Sequence, residues 1–227
     1  MIDIAFYTCY LGPDRSWSNQ VHDPPSRDLP CYYFTNNLNT FEAAKKKGWK
    51  PVWMDVPIDS DEVRNSENTK LLRCCPHLFE QLYKYSHLCY LDSKVWVTDL
   101  DTVLTLASEL TDETPLVLSL HNSKDRYTTV WGEFNEAMLQ ERYARHKDRY
   151  VKYIKSRLRM GYRNEPLRHL SGFRIQKQCD LMRRIGETWF SHIQLCGIEC
   201  QISWQFVIQE FPGAVRDIPY KSCWSAP

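Results

Sequence analysis

The sequence predicts an α/β domain of the Rossmann-like kind, with a central, mostly parallel mixed sheet flanked by helices. Three observations carry this reading. Short apolar runs alternate with helical patterns through the first half of the chain. Each apolar run stops at polar residues: Thr8–Tyr10, Thr35–Asn37, Asp55, Asp92 and His121. Finally, no repeat, low-complexity tract or Pro/Gly/Ser-rich linker divides the 227 residues, so they are read as one domain, 1–227.

The elements follow in order. "IDIAFYTCYL", "PCYYFTN" and "KPVWMDV" read as strands, and "FEAAKKKGW" between the last two as a short helix stopped by Gly48. A long helix spans about 61–85, with Leu71, Leu72, Cys75, Leu78, Phe79 and Leu82 at helical spacing and a kink or break at Pro76. "HLCYLDSKVWV" holds a buried strand that ends on Asp92, and "PLVLSLHN" is a further strand. Residues 129–160 form one or two helices dense in Glu, Arg, Lys and Tyr. "LRHLSGFRIQ" is a strand with a Gly break, helices follow at about 180–195 and 200–211, and "AVRDIPY" is the last strand. Strand, helix, strand in this order implies parallel pairing with right-handed crossovers. In open sheets of this kind ligands bind at the carboxyl ends of the strands.

The totals exclude several classes. A net charge of +1 is too small for a general grip on nucleic acid or an anionic membrane. Asp3 and Thr8 interrupt the start, no basic stretch precedes a long apolar core, and no run approaches the roughly 18 apolar residues of a membrane span. The nine cysteines are scattered. Cys74–Cys75 and Cys196/Cys200 are the close pairs, and neither has zinc-site spacing, so they read as buried thiols in a reducing compartment. The expectation is a cytoplasmic protein with no membrane span and no nucleic-acid partner.

Asp92 closes a central strand where a ligand would sit. Its carboxylate suits a divalent cation or a ribose, and it also suits a plain turn. Upstream, Lys70, Arg73 and His77 lie at i, i+3 and i+7 on one helical stripe. Such a stripe is either a solvated basic face or a cationic seat for a diphosphate, with Arg as a fork and Lys as a point charge. Lys94, two residues past Asp92, adds positive charge beside Ser93. Asp99 and Asp101 form another Asp-x-Asp, read as a helix or turn start.

"CYLDSKVWV" resembles the strand-end signature of glycosyltransferases with the single-domain, nucleotide-sugar-binding GT-A fold. "NTKLLRCCPHLF" followed by "YSHLCYLDSKVWV" is similar to the uncharacterised DUF616 group and to the capsid-glycan glycosyltransferases of large algal viruses (chloroviruses). The likeness runs on through "YTCYLG", "HNSKDRYTTVWGEFNEA" and "GIECQISWQFVI". It implies a GT-A-like domain with a nucleotide-binding half, 1–120, and an acceptor-binding half, 121–227. It implies hexosyl or pentosyl transfer from a UDP-sugar to an oligosaccharide or glycoprotein acceptor, and a viral protein. It implies Thr8 and Tyr10 near base and ribose, Lys70 and Arg73 on the donor side with Ser93 and Lys94, and Asp92 at the ribose or a metal. Lys94 stands where the usual motif has its second Asp, and a protonated lysine does not ligate Mn2+ or Mg2+. Either Asp92 anchors a cation held mostly by the diphosphate, or Lys94 replaces the cation's charge.

Transfer of this kind passes through an oxocarbenium-like state, and an inverting enzyme needs a base for the acceptor hydroxyl. Glu199, before a helix start, is the first candidate, alongside its reading as a helix N-terminal acid; Asp217 and Glu133 are weaker ones. His121, Arg126, Glu133 and Arg174 are candidate sugar or acceptor contacts. Trp131, Trp189, Trp204 and Tyr127 read mostly as core or helix packing, with one or two available to stack on a sugar. A non-catalytic nucleotide-sugar or glycan-binding module is the alternative. A nucleotidyltransferase ranks below it, because "YLGPDRS" has one Gly where a phosphate loop needs several.

Overall fold

A computed structural model describes residues 2–14, 21–121, 129–165 and 169–226. In chain order the elements are β1 (Ile4–Tyr10), β2 (Cys31–Thr35), α1 (Leu38–Lys47), β3 (Lys50–Trp53), α2 (Glu62–Cys74), a 3-10 turn (Pro76–Leu78) and α3 (Glu80–Tyr83). They continue as β4 (His87–Leu91), β5 (Trp96–Val97), α4 (Leu100–Ser108), β6 (Leu116–Leu120), α5 (Val130–Ala137), α6 (Glu141–Ala144) and α7 (Lys147–Arg159). The last are β7 (His169–Lys177), α8 (Asp180–Cys196), α9 (Cys200–Glu210), β8 (Val215–Ile218) and β9 (Trp224–Ser225).

Among the described residues the main sheet has seven strands in the order β3-β2-β1-β4-β7-β6-β8, and β5 pairs with β9 in a second sheet. The pairings β1–β2, β1–β4, β2–β3 and β6–β8 are parallel, as the alternation of strands and helices predicts. β7 runs against both β4 and β6, so those two point the same way and the sheet is mixed. The predicted Gly break in β7 is a register shift: Leu118 faces Arg174, but Ser119 faces Leu170. The extra residues push Ser171 and Gly172 out beneath the end of β4, where the Gly172 carbonyl accepts from Asp92 N–H at 2.7 Å.

Side chains alternate across the sheet with period two and bury both faces. Ile4, Phe6, Cys89 and Leu91 pack with Val103, Leu106 and Ala107 of α4 on one side. Ala5, Tyr7, Leu88 and Tyr90 pack with Leu72 of α2 and Leu82 of α3 on the other. α1 stops at Gly48, whose φ of 97° favours glycine, as the sequence predicts.

The long helix expected over 61–85 is divided. It ends at Cys74 because Pro76 offers no N–H to the ladder, and its tail becomes the 3-10 turn and α3. α2 is clamped by α8: a Cβ on Gly186 would lie 2.0 Å from the Cys74 carbonyl oxygen, so only glycine lets the two backbones touch. That contact fixes the helix end carrying Arg73. Among the described residues no helix is long and apolar enough to cross a membrane. All nine cysteines are free thiols, buried except for the half-buried Cys179.

Candidate functional site

A cleft of about 450 Å³ opens at the carboxyl ends of β1 and β4. Both halves of the chain line it: Tyr10, Lys70, Arg73 and Asp92 from the first, Glu199 and Cys200 from the second. Asp92 is the first residue past β4, whose five residues are all buried. Its carbonyl accepts from Val95 N–H at 2.7 Å, closing a turn that holds Ser93 and Lys94 at the rim. Ser93 Oγ approaches Asp92 Oδ1 at 3.4 Å. The acid is both a turn residue and a wall of the cleft.

The cationic side comes from α2. Arg73 is only 3% exposed, yet it borders the cleft. Its guanidinium carbon lies 5.0 Å from the Tyr90 ring centroid and 5.7 Å from that of Trp189, and Nη1 lies 3.3 Å from Cys200 Sγ. Among the described residues its Nε and Nη2 have no hydrogen-bond partner. Lys70 Nζ lies 3.4 Å from the same sulfur. Burial opposes the charge on Arg73, but the balance of its surroundings, the Asp92 carboxylate included, holds the group protonated. Among the described residues no carboxylate lies within ion-pair distance of Arg73. A buried cation in that state presents its charge to whatever fills the cleft.

His77 leaves the predicted stripe. Helical counting carried it past Pro76, but in the 3-10 turn it points away from the cleft and lies 3.4 Å from Glu187. The stripe is not a solvated face either, since Arg73 is buried. Tyr10, Lys70, Arg73, Asp92, Ser93, Lys94 and Glu199 converge on the cleft. Thr8 does not: it is buried in β1, whereas Cys9 and Tyr10 reach the opening. Arg174 does not open into the cleft because it is fully buried on β7, donating to Tyr7 Oη at 3.0 Å below Tyr90 and Trp189. Its charge sits one layer under the floor. His121 stands half-buried past β6 and is not part of the lining. Arg126 and Tyr127 lie outside the described residues. Trp189 and Trp204 are core, as expected.

The candidate base Glu199 caps α9, its Oε1 accepting from Gln201 N–H at 3.2 Å, so the helix-acid and cleft-acid readings describe one arrangement. The Tyr143 phenol is also on the cleft wall beside Glu199; burial first and that carboxylate next push its pKa up. Glu133 is buried behind them, accepting from Gln201 Nε2 at 3.0 Å. Burial, then the charge of Glu199, raises Glu133 to about 8. Asp217 is engaged elsewhere, 2.7 Å from His169 Nε2. Asp99 caps α4, accepting from Thr102 N–H at 3.0 Å, as the helix-start reading has it. Sequence reasoning missed Cys200, Ser171, Tyr143 and Trp224 on the lining. Their partners are distant in the chain, and the position of Cys200 beside Glu199 was the one local signal.

No group of three or more His, Cys, Asp or Glu side chains among the described residues is placed to hold a metal ion. The donor set offers Asp92 with Lys94 close by. It fits an ion of the Mg2+ or Mn2+ kind that takes one carboxylate and fills its shell with phosphate and water, not a protein-built cage.

No family model matches the chain, so the resemblance to the DUF616 group has no family match behind it, and no curated protein matches. Solved structures do. Mouse xyloside xylosyltransferase 1 in its apo form superposes at TM-score 0.56 with 9% identity, over 96% of this chain and 85% of that one. The mannosyltransferase Ktr4p from S. cerevisiae superposes at TM-score 0.51 with 11% identity, over 99% and 70%. A glycosyltransferase involved in glycosylation of the PBCV-1 major capsid reaches TM-score 0.48 with 9% identity, over 96% and 81%, too distant to carry an argument. At these identities the likeness is one of fold: a single GT-A-like domain.

Proposed function

We propose that the chain is a glycosyltransferase that moves a sugar from a nucleotide-diphosphate sugar, UDP-linked, to a hydroxyl of an oligosaccharide or glycoprotein acceptor. The observation that carries this reading is the buried Arg73, with no carboxylate at ion-pair distance among the described residues, meeting Lys70 across one cleft from Asp92. The GT-A-like fold, shared with a xylosyltransferase and a mannosyltransferase, supports it.

In this reading Tyr10, Leu11 and Pro13 wall the base and ribose. As the bond from the anomeric carbon to the diphosphate oxygen breaks, the sugar becomes oxocarbenium-like and negative charge grows on the leaving group. Lys70, Arg73 and Lys94 meet that charge as cations already placed on the cleft wall. A divalent cation held by Asp92 would supply further positive charge there. Glu199 accepts the proton of the acceptor hydroxyl, oriented by its own cap to Gln201. Glu133 keeps its proton near neutral pH and so adds no second charge beside the base.

The test is a calorimetric titration with UDP and GDP, with and without Mn2+; UDP binds best, and equal binding of GDP, or none of either, overturns the donor assignment. Lys94 in place of a second acid favours one other reading, a nucleotide-sugar-binding module without turnover. Slow hydrolysis of UDP-sugar in the absence of acceptor marks the enzyme; tight binding with no hydrolysis and no transfer marks the module.

A further inference from the structure

Cys200 has surroundings unlike those of the other buried thiols. It opens α9, a helix of 11 residues, at its first helical position. Its sulfur is met by Lys70 Nζ at 3.4 Å, Arg73 Nη1 at 3.3 Å and Ser171 Oγ at 3.7 Å, and it lines the cleft. A second observation points to a ligand there: Arg73, 3% exposed, borders the cleft with Nη1 on the sulfur, while among the described residues its Nε and Nη2 lack partners.

We propose that Cys200 is a modification site: it exchanges with small anionic disulfides, and the mixed disulfide blocks the anion seat made by Lys70 and Arg73. The sulfur anion of Cys200 attacks one sulfur of the disulfide. A new S–S bond forms as the old one breaks, the departing thiolate carries away the electron pair, and the thiol proton goes to solvent. Charge on the attacking sulfur is met by two cations and the positive end of a helix. The same cations concentrate an anionic reagent at the cleft. Cys9 shares the cleft and the field of Arg73 and Lys70, but among the described residues Cys200 is the cysteine whose sulfur a Lys or Arg nitrogen touches. Burial pushes Cys9 and Cys74 up to about 12, Cys31, Cys75 and Cys223 to about 11, and Cys89 and Cys196 well above the usual range. The adduct is reversed by reductant, so the cleft would close under oxidation and reopen on reduction.

The experiment treats the full chain with dithiodipropionate, a dianion, and separately with cystamine, a dication. Acid quenching and mass mapping of the cysteine peptides follow, with Cys179 as the accessible reference and Cys89 as the buried one. Relative to Cys179, Cys200 labels about tenfold faster with the anionic reagent than with the cationic one. Inorganic pyrophosphate slows that labelling, and the disulfide abolishes pyrophosphate binding in the parent chain but not in Cys200→Ser. Labelling no faster than at Cys89, equal response to both reagents, or no protection by pyrophosphate overturns the proposal. The two labelling arms on the parent chain decide the matter even if Cys200→Ser fails to fold. The proposal shares the Lys70 and Arg73 anion seat with the transferase reading, but no sugar nucleotide enters the test, so failed labelling at Cys200 and failed UDP binding are read separately.

Discussion

Replacing Arg73 by methionine separates binding from folding. The guanidinium gains two ring contacts, with Tyr90 at 5.0 Å and Trp189 at 5.7 Å. Each contributes about 0.5–2 kcal/mol. Against them stand two buried nitrogens without partners, each costing about 1–3 kcal/mol. These terms roughly cancel, and methionine of similar length keeps the packing, so stability changes by about 1 kcal/mol or less and the melting temperature by no more than about 4 °C. Nucleotide binding behaves differently. Two charge-assisted hydrogen bonds to a diphosphate, at about 1.5–3 kcal/mol each, give at least about 3 kcal/mol. Their loss weakens UDP about a hundredfold. Thermal melts and a UDP titration of the same preparation read both quantities. An Arg73→Met chain that binds UDP like the parent, or one that melts far below it, refutes the reasoning: the first removes Arg73 from the donor seat, the second makes it a structural residue.

Asp92→Ala lowers sugar transfer about a hundredfold or more while the circular dichroism spectrum stays that of the parent; an active variant removes Asp92 from the mechanism. Glu133 is raised in the fold to about 8 from a usual value of 4.5, so the unfolded chain binds fewer protons between those values and stability falls as pH rises through that window. Glu133→Gln flattens that fall and is the more stable protein at pH about 8 in denaturant titrations; equal slopes contradict the assigned burial. Gly186→Ala drives a methyl into the Cys74 carbonyl and costs about 1–3 kcal/mol, lowering the melting temperature and, by displacing the end of α2, weakening UDP as well. A neutral outcome in both assays means that α8 does not clamp α2.

The parts of this site visible in the chain were those written in local pattern. A four-residue apolar run, Leu88–Leu91, ending on an acid located β4 and Asp92, because such a run suits a strand buried on both faces. Pro76 marked a break, yet the helical count was carried through it to His77, and the turn it makes sent that side chain elsewhere. The antiparallel course of β7 was hidden because an alternating run reads alike in either direction; only its neighbours decide. Arg73 and Arg174 read as surface or cleft cations because charged residues are seldom buried unpaired, and here two aromatic rings replace the missing carboxylates. Thr8 and Cys9 differ only in which face of β1 they take, and the opening of the cleft chose Cys9. Cys200 was passed over as an ordinary buried thiol, since its two cations lie 130 and 127 residues away in sequence.

The most direct measurement is a crystal of the protein soaked with UDP. The account places the two phosphates against Lys70 and Arg73, with Asp92 facing the ribose or a cation on the opposite wall. Phosphates bound anywhere away from Arg73, with the cleft beside Asp92 still empty, would contradict it.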